Sequence, residues 1–170
     1  MLIVFRGLPG TGKSHLVRQL LERRPGHLVL SRDTLRVAIV RDPDFSDAEK
    51  ALVDDLIVAM ADHLLARGRT VIIDGMVLSS AQRLDAFVKV ADTNGVPCRI
   101  VECTCSEATA LERIGADADT HPAGDRGAAL YHAVKARYEP SPHPVLMVDT
   151  ERDTDRTIAA IPGWIDSTPP

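Results

Sequence analysis

The chain has 170 residues, 45% of them hydrophobic, 26% charged and 4% aromatic, with a formal net charge of −4. A single domain of this length buries roughly 70% of the surface its unfolded chain exposes, so it folds without disulfides or a structural metal. The acidic balance and the scarcity of aromatic rings argue against a protein that holds nucleic acid through phosphate neutralisation or base stacking, although a basic groove on an acidic protein stays open.

Strand-like and helix-like segments alternate along the chain, which predicts an α/β domain around a mainly parallel sheet of about five strands with helices on both faces. Leu2–Phe5 reads as a buried strand and leads directly into a glycine-rich turn. Leu16, Leu20 and Leu21 then give a helical stripe up to about Arg23. Leu28–Leu30 is a second strand, ended by Ser31-Arg32-Asp33. A long helix from about Asp47 to Arg67 carries Leu52, Leu56, Ile57, Met60 and Leu64, with Gly68 placed to stop it. Thr70–Ile73 forms a third strand before Asp74-Gly75, and a helix with Leu84, Phe87, Val88 and Ala91 follows. Arg99–Cys103 is a fourth strand, and Ser106 is placed to cap the next helix. Residues 115–127 read as a small mobile lid, Ala128–Tyr138 as a helix and Val145–Val148 as the last strand. One domain over residues 1–165 is expected, with 166–170 as a frayed tail.

Cys98, Cys103 and Cys105 cannot all pair within one chain and read as free thiols in a reducing compartment. The histidines show no metal-ligand spacing. Leu2–Phe5 is too short for a signal peptide, and no run approaches the ~20 apolar residues of a membrane span. A cytoplasmic protein without a membrane partner is expected, its oligomeric state open.

Gly7-Leu8-Pro9-Gly10-Thr11-Gly12-Lys13-Ser14 fits the phosphate-loop pattern G-x-x-x-x-G-K-[ST], and it lies between a buried strand and a helix. Glycines let backbone N–H groups turn inward around phosphate oxygens, and the helix N-terminus adds the positive end of its dipole. Lys13 is the candidate contact to the β- and γ-phosphates and Ser14 a candidate Mg²⁺ ligand. The absence of Asn-Lys-x-Asp argues against a Ras-type GTPase, and the chain is short for a ring-forming ATPase.

Asp33 follows the second strand, where a carboxylate can accept the proton of an attacking hydroxyl. Arg36 shares its helical face; the plain alternatives are a helix cap for Asp33 and a solvated charge for Arg36. Val71-Ile72-Ile73-Asp74 has the Walker B form, with Asp74 as a second candidate Mg²⁺ ligand. Arg113, just before the lid segment, and Arg126, near its end, are candidate cations over the transferring phosphate, Arg113 also as a nucleotide contact. Asp42, Asp44, Asp47 and Glu49 read as a solvated helix start, with a docking edge for a cationic substrate as the minor alternative.

Taken together, Gly7–Ser14, Ser31-Arg32-Asp33 with Arg36, Asp74, the lid arginines, Tyr138-Glu139-Pro140 and Val148-Asp149-Thr150 resemble the polynucleotide-kinase-like branch of small P-loop kinases. The resemblance implies a P-loop kinase fold, ATP with Mg²⁺ as donor, Asp33 as general base, Arg36 as a substrate or phosphate contact and Arg126 as the lid arginine. Polynucleotide kinases commonly carry Asp-Ala-Thr-Asn where this chain has Asp74-Gly75-Met76-Val77. That departure, with Asp117, Asp119 and Asp125 in the lid, favours a small neutral or cationic hydroxyl acceptor (a nucleoside, sugar or antibiotic) over nucleic acid. A polynucleotide 5′-hydroxyl kinase and a nucleotide-dependent switch protein are the alternatives.

Overall fold

Apolar strands that alternate their side chains between two faces need a cover on each, and β1 (Leu2–Arg6) is fully buried along its length. A computed structural model describes residues 1–117, 127–152 and 154–166 of the protein. Its sheet is parallel throughout, in the order β2-β3-β1-β4-β5, with β2 Leu28–Ser31, β3 Val71–Asp74, β4 Cys98–Thr104 and β5 Val145–Asp149. Between them run α1 (Lys13–Arg23), α2 (Arg32–Ile39), α3 (Asp47–Leu65), α4 (Ala81–Thr93), α5 (Glu107–Ala116) and α6 (Ala128–Lys135), and α7 (Thr154–Asp166) follows β5.

The alternation within β1 divides the core. Leu2 and Val4 pack with Val53, Ile57, Leu84 and Phe87 of α3 and α4 on one face. Ile3 and Phe5 pack with Leu16, Leu20, Ile161 and Ile165 of α1 and α7 on the other. α5 and α6 carry a separate small cluster of Ala110, Ile114 and Tyr131. The polar ends of the strands therefore meet at one edge of the sheet, where loops can bind a ligand.

Sequence and structure differ in several places: α2 is an added helix, and α6 ends at Lys135 rather than Tyr138. Helix α7 escapes sequence reading because Pro162 and Gly163 interrupt its pattern, and it reaches Asp166, the first residue of the expected tail. The expected lid begins too early, since Gly115 and Ala116 belong to α5; residues 118–126, with Arg126, lie outside the described residues, as do 167–170. Among the described residues no helix is long and apolar enough to cross a membrane, and all three cysteines are free. Burial pushes the thiols of Cys98 and Cys103 up to about 12, so neither is a nucleophile at neutral pH.

Phe87 is 1% exposed and fills the α4 face of the sheet. Phe87→Ala should cost about 3–5 kcal/mol of stability. A lowered thermal midpoint at unchanged nucleotide affinity is the expected result, measured by calorimetry alongside a binding titration.

Candidate active site

β1 ends in Arg6 and the chain turns at once into the phosphate loop. Gly7, Gly10 and Gly12 have φ of 144°, 78° and 79°, a region that L side chains rarely enter. A Cβ at Gly7 would fall on the carbonyl oxygen of Cys103, and one at Gly10 on that of Ala110. Lys13 begins α1 and is largely buried, its Nζ donating to the carbonyls of Gly7 at 2.8 Å and Leu8 at 2.9 Å. Thr11 Oγ1 donates to the Leu8 carbonyl at 2.8 Å and tightens the same turn. Pro9 is buried and Leu8 packs against the α5–α6 cluster.

Ser14 Oγ donates to Asp74 Oδ1 at 3.0 Å, joining the first turn of α1 to the end of β3. Two hard oxygen donors side by side, one on a nearly buried carboxylate, fit Mg²⁺, which takes few protein ligands and completes its shell with phosphate and water. Among the described residues no group of three or more His, Cys, Asp or Glu forms a cage for another metal.

Gly75, with φ of 74°, lets the start of α2 come close: a Cβ there would stand 3.2 Å from the backbone nitrogens of Arg32 and Asp33 and from Asp33 Oδ2. Asp33 is thereby held beside the Asp74 turn. It is not the helix cap, because Ser31 accepts from Thr34 N at 3.4 Å and fills that position. Arg36 is not a solvated charge either. It is 3% exposed, with Nη1 3.6 Å from Asp33 Oδ1, Nε 2.8 Å from Glu49 Oε1 and its guanidinium 5.0 Å from the Phe45 ring centroid.

The apolar residues that replace the polar pair after Asp74 have structural places. Met76 and Leu78 are buried in the core, and the Val77 carbonyl accepts from Gly7 N at 3.4 Å. Arg113 stands on the opposite side of the phosphate loop. Its Nη1 donates to Thr150 Oγ1 at 2.9 Å and Gly10 O at 3.4 Å, and Nη2 donates to Thr150 O at 3.1 Å. It therefore braces the loop against the end of β5.

Sequence reading misses two networks. Arg6, only 1% exposed, donates to Tyr138 Oη at 2.9 Å and Glu139 O at 2.7 Å and lies 3.5 Å from Glu102. A charged residue ending an apolar strand is the one signal that could have found it. Arg32 and Arg83 converge on Asp54, from helices far apart in sequence, and no local pattern marks them. Lys13, Asp33, Asp74, Arg36, Arg83 and Arg113 all line one cleft of about 1490 Å³. That exceeds the roughly 300–1,000 Å³ of a one-ligand pocket, so the cleft has room for more than one small ligand.

Glu151 anchors α5, the helix that carries Arg113. Its carboxylate accepts from Ser106 N at 2.9 Å, from Ser106 Oγ at 2.7 Å and from Thr109 Oγ1. Those bonds, Thr109 first, lower its pKa from the ordinary 4.5 to about 2. A depressed folded-state pKa gives stability that is complete above about pH 4.5 and lost as pH falls towards 2. Glu151→Gln should therefore be less stable than wild type at pH 7, with the gap closing between pH 4.5 and 2. Thermal midpoints over that range check it.

Comparison with known proteins bears on the fold and the family. The 2′,3′-cyclic-nucleotide 3′-phosphodiesterase of Mus musculus is 35% identical over 92 residues, which cover 54% of this chain and 21% of that protein; the chain thus spans about a fifth of the length of its curated relative. The Mycobacterium tuberculosis APS kinase CysC, solved in complex with AMPPNP and APS, superposes with a TM-score of 0.70 at 23% identity, over 98% of this chain and 97% of that one. Chaetomium thermophilum Kti12, in complex with ADP-AlF3, gives 0.69 at 19% identity, over 98% and 100%. These likenesses establish the P-loop kinase fold. The family model described as AAA domain matches residues 2–141, from β1 to the segment beyond α6, and the chain belongs to that family.

Proposed function

We propose that the protein is an ATP- and Mg²⁺-dependent phosphotransferase that moves the γ-phosphate to a hydroxyl of a small molecule. The observation that carries this is the grouping of Lys13, the Ser14–Asp74 pair and Asp33 around one cleft, with Gly75 allowing Asp33 to approach the metal-binding turn. A nucleotide-dependent switch has no use for a carboxylate at that place. APS kinase, a neighbour of the same fold solved with AMPPNP and a second small molecule, supports two ligands sharing the cleft. A polynucleotide 5′-hydroxyl acceptor is the second reading, favoured by the nucleotide named in the curated relative. The free thiols suit a cytoplasmic setting.

In this reading Gly7–Gly12 offer backbone N–H groups to the phosphates, and Lys13 turns its Nζ from the loop carbonyls to the β- and γ-oxygens. Ser14 and Asp74 would hold the ion, which would supply charge neutralisation on the phosphates. Asp33 accepts the hydroxyl proton as the acceptor oxygen attacks phosphorus and ADP leaves. Arg36 holds Asp33 in place, Arg113 fixes the loop beside the nucleotide, and Arg126 is the lid arginine.

Ser14→Ala and Asp74→Asn should each raise the Mg²⁺ concentration needed for half-maximal activity, since each removes a hard ligand. A metal titration of ADP release checks this, and wild-type dependence in both would sink the metal assignment. Asp33→Asn is the sharper test, because Ser31 rather than Asp33 caps α2 and the fold keeps its cap. Loss of the base should lower kcat by about 10²–10⁴-fold with ATP affinity little changed. Single-turnover transfer beside a nucleotide titration measures both; a loss below about tenfold would leave Asp33 only an orienting role.

A further inference from the structure

The arginines on the acceptor side of the cleft differ in the carboxylates they meet. Arg36 has Glu49 2.8 Å from its Nε and Asp33 3.6 Å from its Nη1 and packs over Phe45, while its Nη2, like that of Arg32, is buried with no hydrogen-bond partner. Asp54 of α3, by contrast, serves two guanidinium groups: Arg32 Nε lies 2.8 Å from Oδ1 and Arg83 Nη1 3.4 Å from Oδ2. Distance makes these ion pairs, but the Arg32 N–H vectors miss the carboxylate, and its Nη2 is buried with no hydrogen-bond partner. Two positive charges thus share one negative one, and burial further disfavours the ionised form of Asp54.

Arg32, Arg36 and Arg83 line the cleft together with Asp33, Asp47 and Asp74, whereas Asp54 and Glu49 are not part of its lining. Arg83, in the first turn of α4, is 51% exposed beside Ser79 and Ser80. Among the described residues its ion-pair partner is Asp54. A planar guanidinium with free donors, backed by a second cation, recognises phosphate, sulfate or carboxylate in two-point fashion.

We infer that Arg83, backed by Arg32, forms an anion subsite in the acceptor half of the cleft, so that the molecule bound there carries a phosphate, sulfate or carboxylate beside its reacting hydroxyl. The inference rests on the phosphotransferase reading and names its acceptor class. It departs from the neutral or cationic acceptor expected from sequence. That expectation drew on Asp117, Asp119 and Asp125; the last two lie outside the described residues, and Asp117 lines the cleft at the end of α5, the helix that braces the phosphate loop.

The test uses matched acceptors that differ in the anionic group: glycerol against glycerate, and adenosine against adenosine 3′-phosphate. ADP release from Mg·ATP is followed with wild type, Arg83→Gln and Arg83→Lys, after thermal midpoints confirm folding. The anionic partner should stimulate turnover at least about tenfold more than the neutral one. Arg83→Gln should raise the KM for the anionic partner about tenfold and change that for the neutral one less than about twofold, with partial rescue by Lys. Preference for the neutral partner, or unchanged discrimination in Arg83→Gln, overturns the subsite.

Should no acceptor stimulate ADP release, the phosphotransferase reading fails, and the subsite is decided by calorimetric titration of the AMPPNP-loaded protein with sulfate. The nucleotide then occupies the phosphate loop. Saturable sulfate binding that is lost in Arg83→Gln upholds the subsite. Absent or Arg83-independent binding overturns it.

Discussion

The phosphate loop passes so close to the carbonyls of Cys103 and Ala110 that no side chain can stand at Gly7 or Gly10. Those contacts press the loop against the end of β4 and against α5, while the Gly7 amide reaches across to Val77. Because β1 lies between β3 and β4 in the sheet, the loop emerges with Asp74 on one side and the β4–α5 turn on the other. Ser14 then closes on Asp74, and Arg113 closes on Gly10 and Thr150. The loop is therefore gripped from both flanks, and the positive φ of its glycines turns peptide groups in ways an L residue would resist.

The two halves of the cleft are built by different means. On the loop side, backbone groups and short side chains dominate, as a phosphate site requires. On the α2–α4 side, long cations and carboxylates from separate helices meet. Arg6 ties the two together from below: it leaves β1 just before Gly7 and holds Tyr138 and Glu139. Glu139 in turn accepts from the first amide of α4 at 2.7 Å and donates its own N–H to Ser79 O at 2.8 Å. A buried arginine with its donors engaged is costly to break, so this brace fixes the strand end, the β3–α4 loop and the exit from α6 as one unit.

What could be read from sequence follows from how local each feature is. Gly7–Ser14 is contiguous, and Asp33 and Asp74 stand at the ends of apolar runs, so pattern alone finds them. The strands are legible as short continuous apolar runs because β1 and β3 are covered on both faces, whereas their order in the sheet is set by packing that no local pattern marks. Helix α2 shows in the sequence only through the spacing of Asp33 and Arg36, and Asp33 competes as its cap because Ser31 reads as the end of a strand; Ser31 serves as both. The burial of Arg36 was illegible: it depends on Glu49 and Phe45 folding back from the start of α3. Arg32, Asp54 and Arg83 are likewise joined only by the packing of α2, α3 and α4.

Glu49 shows how the acidic run before α3 acquires a use beyond solvation. Its Oε2 accepts from Asp44 N at 2.8 Å and Phe45 N at 3.3 Å, which fixes the loop between α2 and α3 with Phe45 at φ 55°. Its Oε1 pairs with Arg36, over which the Phe45 ring lies. Buried ion pairs of this kind add little net stability, since desolvation offsets most of the Coulomb attraction. Their effect is positional. One carboxylate fixes a strained loop and a guanidinium together, and the guanidinium stands 3.6 Å from Asp33. A change at Glu49 therefore reaches the proposed base through Arg36, without touching the phosphate loop. The two halves of the cleft, joined beneath by Arg6, can thus be altered separately at their mouths.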